Sequence, residues 1–185
     1  MITREQALEL LQQAKTPENL MQHALASEAV MRVLAKRLGE DEALWAMTGL
    51  LHDLDYPATA EEPARHGLET AKQLEGQLDG AALDAIRAHN AECTGHAPQS
   101  KFDYALRCGE TVTGLVSAAA LVRPTRMEGM QAKSLKKKMK DKAFAASVNR
   151  DNIRECEKIG LELDEFLKLA IAAMTEIAPE IGLAA

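Results

Sequence analysis

The sequence predicts an all-α protein, a helical bundle folded as one domain, and three observations carry that expectation. Ala, Leu and Glu abound while aromatic residues make up only 3% of the chain, a bias toward helix. Apolar residues recur at three- and four-residue steps through most of the 185 residues, with no stretch of strand-like alternation. Gly, Pro and Asp punctuate these segments where helices start or stop.

Thr3 to Gln13 places Ala7, Leu8, Leu10 and Leu11 on one stripe, a short first helix. Thr16-Pro17 reads as an N-cap followed by proline at the first helical position, opening a long helix that runs to Leu38 and stops at Gly39. Leu20, His23, Ser27, Val30 and Leu34 share one side of it, so His23 faces the interior. Asp41 caps the next helix, which carries Leu44, Trp45, Met47, Leu50, Leu51 and Leu54. It should end near Asp55-Tyr56-Pro57, because the residue before a proline is pushed out of the helical region. Pro57 to Pro63 reads as a loop, with His66 just inside a helix from Ala64 to Leu78.

Another helix, Ala81 to Asn90, aligns Leu83, Ile86 and His89, and Glu92 to Ser100 reads as a loop. Phe102 to Val122 is a long helix broken by Pro124, with Asp103, Leu106, Glu110, Gly114 and Ser117 in register. Gly109 and Gly114 inside it each cost about 1 kcal/mol relative to alanine, and such glycines often permit close helix or ligand approach. Two more helical stretches follow, Asn149 to Gly160 and Leu163 to Ala178; the second is amphipathic through Leu163, Phe166, Leu167, Ala170, Ile171 and Met174.

Length and a 46% hydrophobic content fit one globular domain with a sizeable core. A net charge of −6 and the scarcity of aromatics argue against nucleic-acid binding, which rests on phosphate neutralisation and base stacking. The one basic run, Lys133 to Lys142, reads either as a solvated helical face or as a rim that attracts phosphate. Cys93, Cys108 and Cys156 form no C-x-x-C pair and the first residues do not look like a signal peptide, so a cytoplasmic location is expected. No apolar run approaches the length of a membrane span. Met127, Met130 and Met139 are either a candidate homodimer face or core fillers.

The stretch Gly49-Leu50-Leu51-His52-Asp53-Leu54-Asp55 closes an apolar helical segment with an imidazole beside a carboxylate. Alone, it reads equally well as a helix C-terminus where histidine meets the negative end of the dipole. His23 taken singly reads as a core histidine with a backbone partner. The set is more specific: His23, His52, His66 and His89, with nearby carboxylates, fall near the ends or on the inward faces of successive helices. Metal sites in helical bundles are built in this way. Imidazole with carboxylate suits Mn, Fe, Co, Ni or Zn, and the lack of paired cysteines argues against a structural zinc.

These residues resemble the HD-domain metal-dependent phosphohydrolases, particularly small single-domain proteins with the HDIG signature. The resemblance is carried by His23, His52-Asp53, His66-Gly67, His89-Asn90 and Glu110-Thr111-Val112-Thr113-Gly114-Leu115. It spans about residues 21–150 and leaves 151–185 as a helical C-terminal extension of a single domain covering 1–185. It implies a first metal held by His23, His52 and Asp53, and a second held by Asp53, His66 and His89. The family's remaining ligand is an aspartate; the matching position here is Glu110, with Asp103 on the same helix a lesser substitute.

The resemblance further implies hydrolysis of a phosphomonoester or phosphodiester, often a nucleotide, with His52 and Asp53 at the catalytic centre. Lys136, Lys137, Lys140, Arg123 and Arg126 are candidates to attract the anion. Asp55 either relays a proton or caps a helix. Two other readings stay open: a di-iron oxygenase on a similar scaffold, and a metal-binding signalling or scaffold module without turnover, for which the Glu110 departure speaks.

Overall fold

The computed structural model describes residues 2–185, and they are helical with no strand among them. The first helix, α1 (Arg4–Gln13), starts at a reciprocal cap in which the Thr3 hydroxyl accepts from the Gln6 amide and the Gln6 side chain accepts from the Thr3 amide. In α2 (Glu18–Leu38) the N-cap is Pro17 and not the expected Thr16, whose buried hydroxyl has no partner. The helix stops at Gly39, whose φ of 73° is a left-handed cap. Asp41 caps α3 (Glu42–Leu51) by accepting from the Leu44 amide at 2.9 Å.

The expected end of α3 near Asp55 is corrected: helix gives way to turns after Leu51, and a one-turn α4 (Tyr56–Thr59) accommodates Pro57 in its first turn, where a missing N–H costs nothing. The expected helix from Ala64 to Leu78 shortens to α5 (Leu68–Gln73). Gly67 adopts φ 87° and breaks the helix on its N-terminal side, so His66 stands in a turn and not inside a helix. Then come α6 (Gly80–His89), a short α7 (Ala91–Thr94) inside the expected loop, and α8 (Lys101–Leu121). The basic run forms α9 (Ala132–Lys138). Beyond it, α10 (Arg150–Arg154) runs into a 3-10 turn at Glu155–Ile159, and α11 (Leu163–Glu176) closes the chain.

One core runs through the bundle. Met31 and Leu34 of α2, Leu50 and Leu51 of α3, Ile86 of α6, Leu106 and Leu115 of α8 and Phe166 of α11 are all fully buried. Burying such a side chain stabilises by about 1.5–3 kcal/mol. Met127, Met130 and Met139 are also buried, so they fill this core and offer no dimer face. Close packing of α3 on α2 depends on Gly49, where a Cβ would lie 2.6 Å from the Ser27 carbonyl oxygen. That approach brings the end of α3 beside the start of α2, and with it His52 beside His23. No helix among the described residues is long and apolar enough to cross a membrane.

Candidate metal centre

Four imidazoles converge on one carboxylate. His23 comes from the second turn of α2, His52 and Asp53 from the end of α3, His66 from the turn before α5 and His89 from the last residue of α6. The Asp53 Oδ1 lies 3.3 Å from His52 Nε2, 3.2 Å from His66 Nε2 and 3.3 Å from His89 Nε2; Oδ2 lies 3.6 Å from His23 Nε2. His23 and His52 approach at 3.2 Å through their Nε2 atoms, and His66 and His89 at 3.0 Å. Two groups emerge, His23–His52–Asp53 and Asp53–His66–His89, each with donor atoms within 4.8 Å of one another and Asp53 common to both.

The opposite nitrogen of every ring is tied down. His52 Nδ1 donates to the Gly49 carbonyl at 2.8 Å and His89 Nδ1 to the Ile86 carbonyl at 2.6 Å. His66 Nδ1 donates to the Asp55 carboxylate at 2.8 Å. His23 Nδ1 meets the Thr113 hydroxyl at 2.9 Å; that hydroxyl already donates to the Glu110 carbonyl at 2.7 Å, so it accepts from the imidazole. Carbonyls and carboxylates accept only, so the network assigns the Nδ1–H tautomer to the neutral rings and leaves Nε2 as a bare lone pair. Lone pairs facing each other at these separations call for a cation. With metal–nitrogen bonds of about 2.0–2.1 Å, neighbouring ligands of one ion stand roughly 3–3.5 Å apart, so the donor set fits a divalent transition metal.

Electrostatics separate the rings. Burial pushes His52 down to about 3, so it stays neutral. Burial also opposes charge on His66, but hydrogen bonds to the Asp53 and Asp55 carboxylates outweigh it and raise this ring to about 9. Asp53 is desolvated too, yet the surrounding histidines hold it well below the carboxylate range. Burial raises Glu110, whose Oε2 sits 3.7 Å from His23 Nε2 at the edge of the first group; its Oε1 accepts from the Thr111 hydroxyl.

Asp55 is a staple. Its Oδ1 holds His66, while Oδ2 accepts from the Gly67 and Thr70 amides at 2.8 and 2.9 Å, capping α5 from a distant turn. Gly67 is required there twice over: φ is positive, and a Cβ would lie 2.8 Å from His89 Cε1. Asp103 does not face this centre. It forms a reciprocal cap with Ser100 at the start of α8, which removes it as a substitute ligand.

A cavity of about 390 Å³ opens over the imidazoles, walled by Asp53, Glu92, Glu110, Asn90, Ser147, Asn149 and Asn152 among others. Neither Lys136, Lys137, Lys140 nor Arg123 lines it. The three lysines are exposed on and just after α9, and the Arg123 guanidinium is engaged in its own turn, by the Arg126 and Glu128 carbonyls. Arg126 likewise lies off the cavity. The sequence reading missed Arg107, which is buried on α8 and fans out to Glu92 at 2.6 Å, Glu155 at 2.7 Å, Asn152 at 3.0 Å and the Ala88 and His89 carbonyls. The available signal was an arginine one helical turn before Glu110 on a predominantly apolar helix.

Comparison with known proteins gives two matches. The family model described as HD domain matches residues 20–143. A ribonuclease Y of Desulfotalea psychrophila is 28% identical over 170 residues, covering 86% of this chain but 31% of that protein. The chain thus spans about a third of the length of this relative. No solved structure matches.

Proposed function

This chain belongs to the HD-domain family of metal-dependent phosphohydrolases, and on that premise we propose that it hydrolyses a small phosphomonoester or phosphodiester, a nucleotide among the candidates. The observation that supports it best is the convergence of four Nε2 atoms on Asp53 with every Nδ1 hydrogen committed elsewhere. A ribonuclease is a phosphodiesterase, so the relative's name falls within the same reaction class.

In this reading His23, His52, Asp53 and Glu110 hold one ion, and Asp53, His66 and His89 hold a second. Bound there, two divalent ions supply Lewis acidity, lowering the pKa of water and polarising a phosphoryl group. The protein's own part is orientation and charge. Asp53 serves both groups, so its carboxylate fixes their separation. Asp55 and Thr113 and the two carbonyls keep the imidazoles in the ligating tautomer. The cavity admits the ester over the Nε2 face of the rings.

Metal content per chain, measured on protein purified without chelator beside Asp53→Ala, tests the assignment. About two transition metals, absent from the variant, together with phosphate released from simple esters, is the expected result. Close to one would reduce the centre to a single ion. No metal after reconstitution with Mn, Co, Ni or Fe would overturn the proposal, and iron with oxygen-dependent turnover would replace it with an oxygenase.

A further inference from the structure

Beside the imidazoles, the cavity wall carries a buried side chain whose chemistry is only half used. Asn152, in the first turn of α10, is 8% exposed and lines the cavity. Its Oδ1 accepts from Arg107 Nη2 at 3.0 Å. Arginine cannot accept, so this contact fixes which way the amide points. The Nδ2 group is left without a protein partner among the described residues, on a side chain that forms part of the cavity wall. That donor is open to the cavity and not sealed from water, so an oxygen of a bound ligand can take it directly.

The charge around that donor is equally informative. Glu92 lines the cavity and pairs with Arg107, whose guanidinium is shared with Glu155, and Glu155 also takes Lys158 at 3.4 Å, so the cations nearest this wall are already engaged by carboxylates and none lines the cavity. The remaining wall groups, Asn90, Ser147 and Asn149, are neutral. Arg150 sits within the same segment but turns inward, donating to the Asp141, Phe144, Ala145 and Val148 carbonyls. A second or third phosphate placed beyond the imidazoles would therefore meet carboxylates and amides with no cation to receive it. The volume of about 390 Å³ is at the small end of ligand pockets, which run from roughly 300 to 1,000 Å³.

We propose that Asn152 is a substrate-binding residue that donates Nδ2–H to a phosphoryl oxygen, and that the cavity selects esters bearing one phosphoryl group on a neutral, hydroxylated remainder. This rests on the phosphohydrolase reading and names the substrate class within it. Arg107 is the positioning residue: it holds the Asn152 amide and, through the His89 carbonyl, the end of α6.

Asn152→Asp is the discriminating variant, since it keeps the acceptor for Arg107 while replacing the donor with a carboxylate oxygen; Asn152→Ser serves if the first fails to fold. Two readouts are needed on the Mn-loaded full chain with metal content matched to wild type. Calorimetric binding of inorganic phosphate should weaken about tenfold or more in the variant. Turnover of AMP, ATP and a short oligoribonucleotide should favour AMP in wild type, and the variant's loss on AMP should fall mainly on KM. Equal phosphate affinity in wild type and variant overturns the role of Asn152. Wild-type turnover of ATP or the oligoribonucleotide as efficient as that of AMP overturns the substrate class, while the phosphohydrolase reading stands. If wild type cleaves none of the three nor p-nitrophenyl phosphate, that broader reading fails, and the phosphate-binding comparison still decides Asn152.

Discussion

The two histidine groups share Asp53 and little else in how they are built. The first is drawn from helices packed face to face: α2 brings His23, α3 brings His52, and α8 brings Thr113 and Glu110. Its geometry is a by-product of the core, set by the contact that Gly49 allows. The second is assembled on turns and helix ends, and Asp55 holds it by gripping His66, Gly67 and Thr70 together. The charge differs as well. His52 is neutral because it is buried, whereas His66 sits between two carboxylates that favour a cation. The first group thus offers a ready lone pair, and the second exchanges a proton for a metal.

The largest effect should come from removing what the groups share. Asp53→Ala should lose metal from both and abolish hydrolysis while circular dichroism stays helical; retention of one ion would show that one group does not depend on the shared carboxylate. Asp55→Asn should spare the first group and weaken metal binding at the second by about 10–100-fold, read as a drop from two ions toward one in elemental analysis. An asparagine oxygen can still accept from an amide, but it cannot serve His66, Gly67 and Thr70 at once.

Acidification should separate the groups without mutation. The raised pKa of His66 means that the charged ring is favoured below about 9 and that metal must displace its proton. Affinity at the second group should therefore rise with pH up to about 9 and fall below it, with proton release measurable in buffers of different ionisation enthalpy. Equal pH dependence at both groups would sink the distinction. Glu110→Gln should cost less than Asp55→Asn and act on the first group alone, since Glu110 stands at its edge, 3.7 Å from His23. The smallest effect belongs to Lys136→Glu with Lys137→Glu. These exposed lysines are off the cavity, so kcat/KM for an anionic ester should fall about two- to fivefold at low ionic strength and recover in salt.

The same contrast explains what the sequence disclosed. His23 and the long helices were legible because a period of three and four residues fixes both the helix and its buried face. His66 was harder. Its place depends on a positive φ at Gly67 and on a carboxylate eleven residues earlier, and periodicity registers neither. Asp103 shows the reverse error: it shares the register of Glu110 but lies in the first turn, where capping claims it. The methionines after α8 were ambiguous because a flexible side chain fits a core gap or an exposed face equally well. The pairing of Arg107 with Asn152 was illegible for a simpler reason, even though an arginine on an apolar helix stands out by itself. The two meet across 45 positions of sequence, and nothing local marks either as half of a pair.

The fan of bonds from Arg107 has one more consequence. A single rigid guanidinium grips the carbonyl of a histidine on one wall and the amide of an asparagine on the other. Whatever shifts one wall is felt at the other through one planar group with no slack in its geometry. Occupancy on the two sides should therefore be thermodynamically linked and reciprocal: an ion at His89 alters the affinity for a ligand at Asn152 by the same factor as the ligand alters that for the ion.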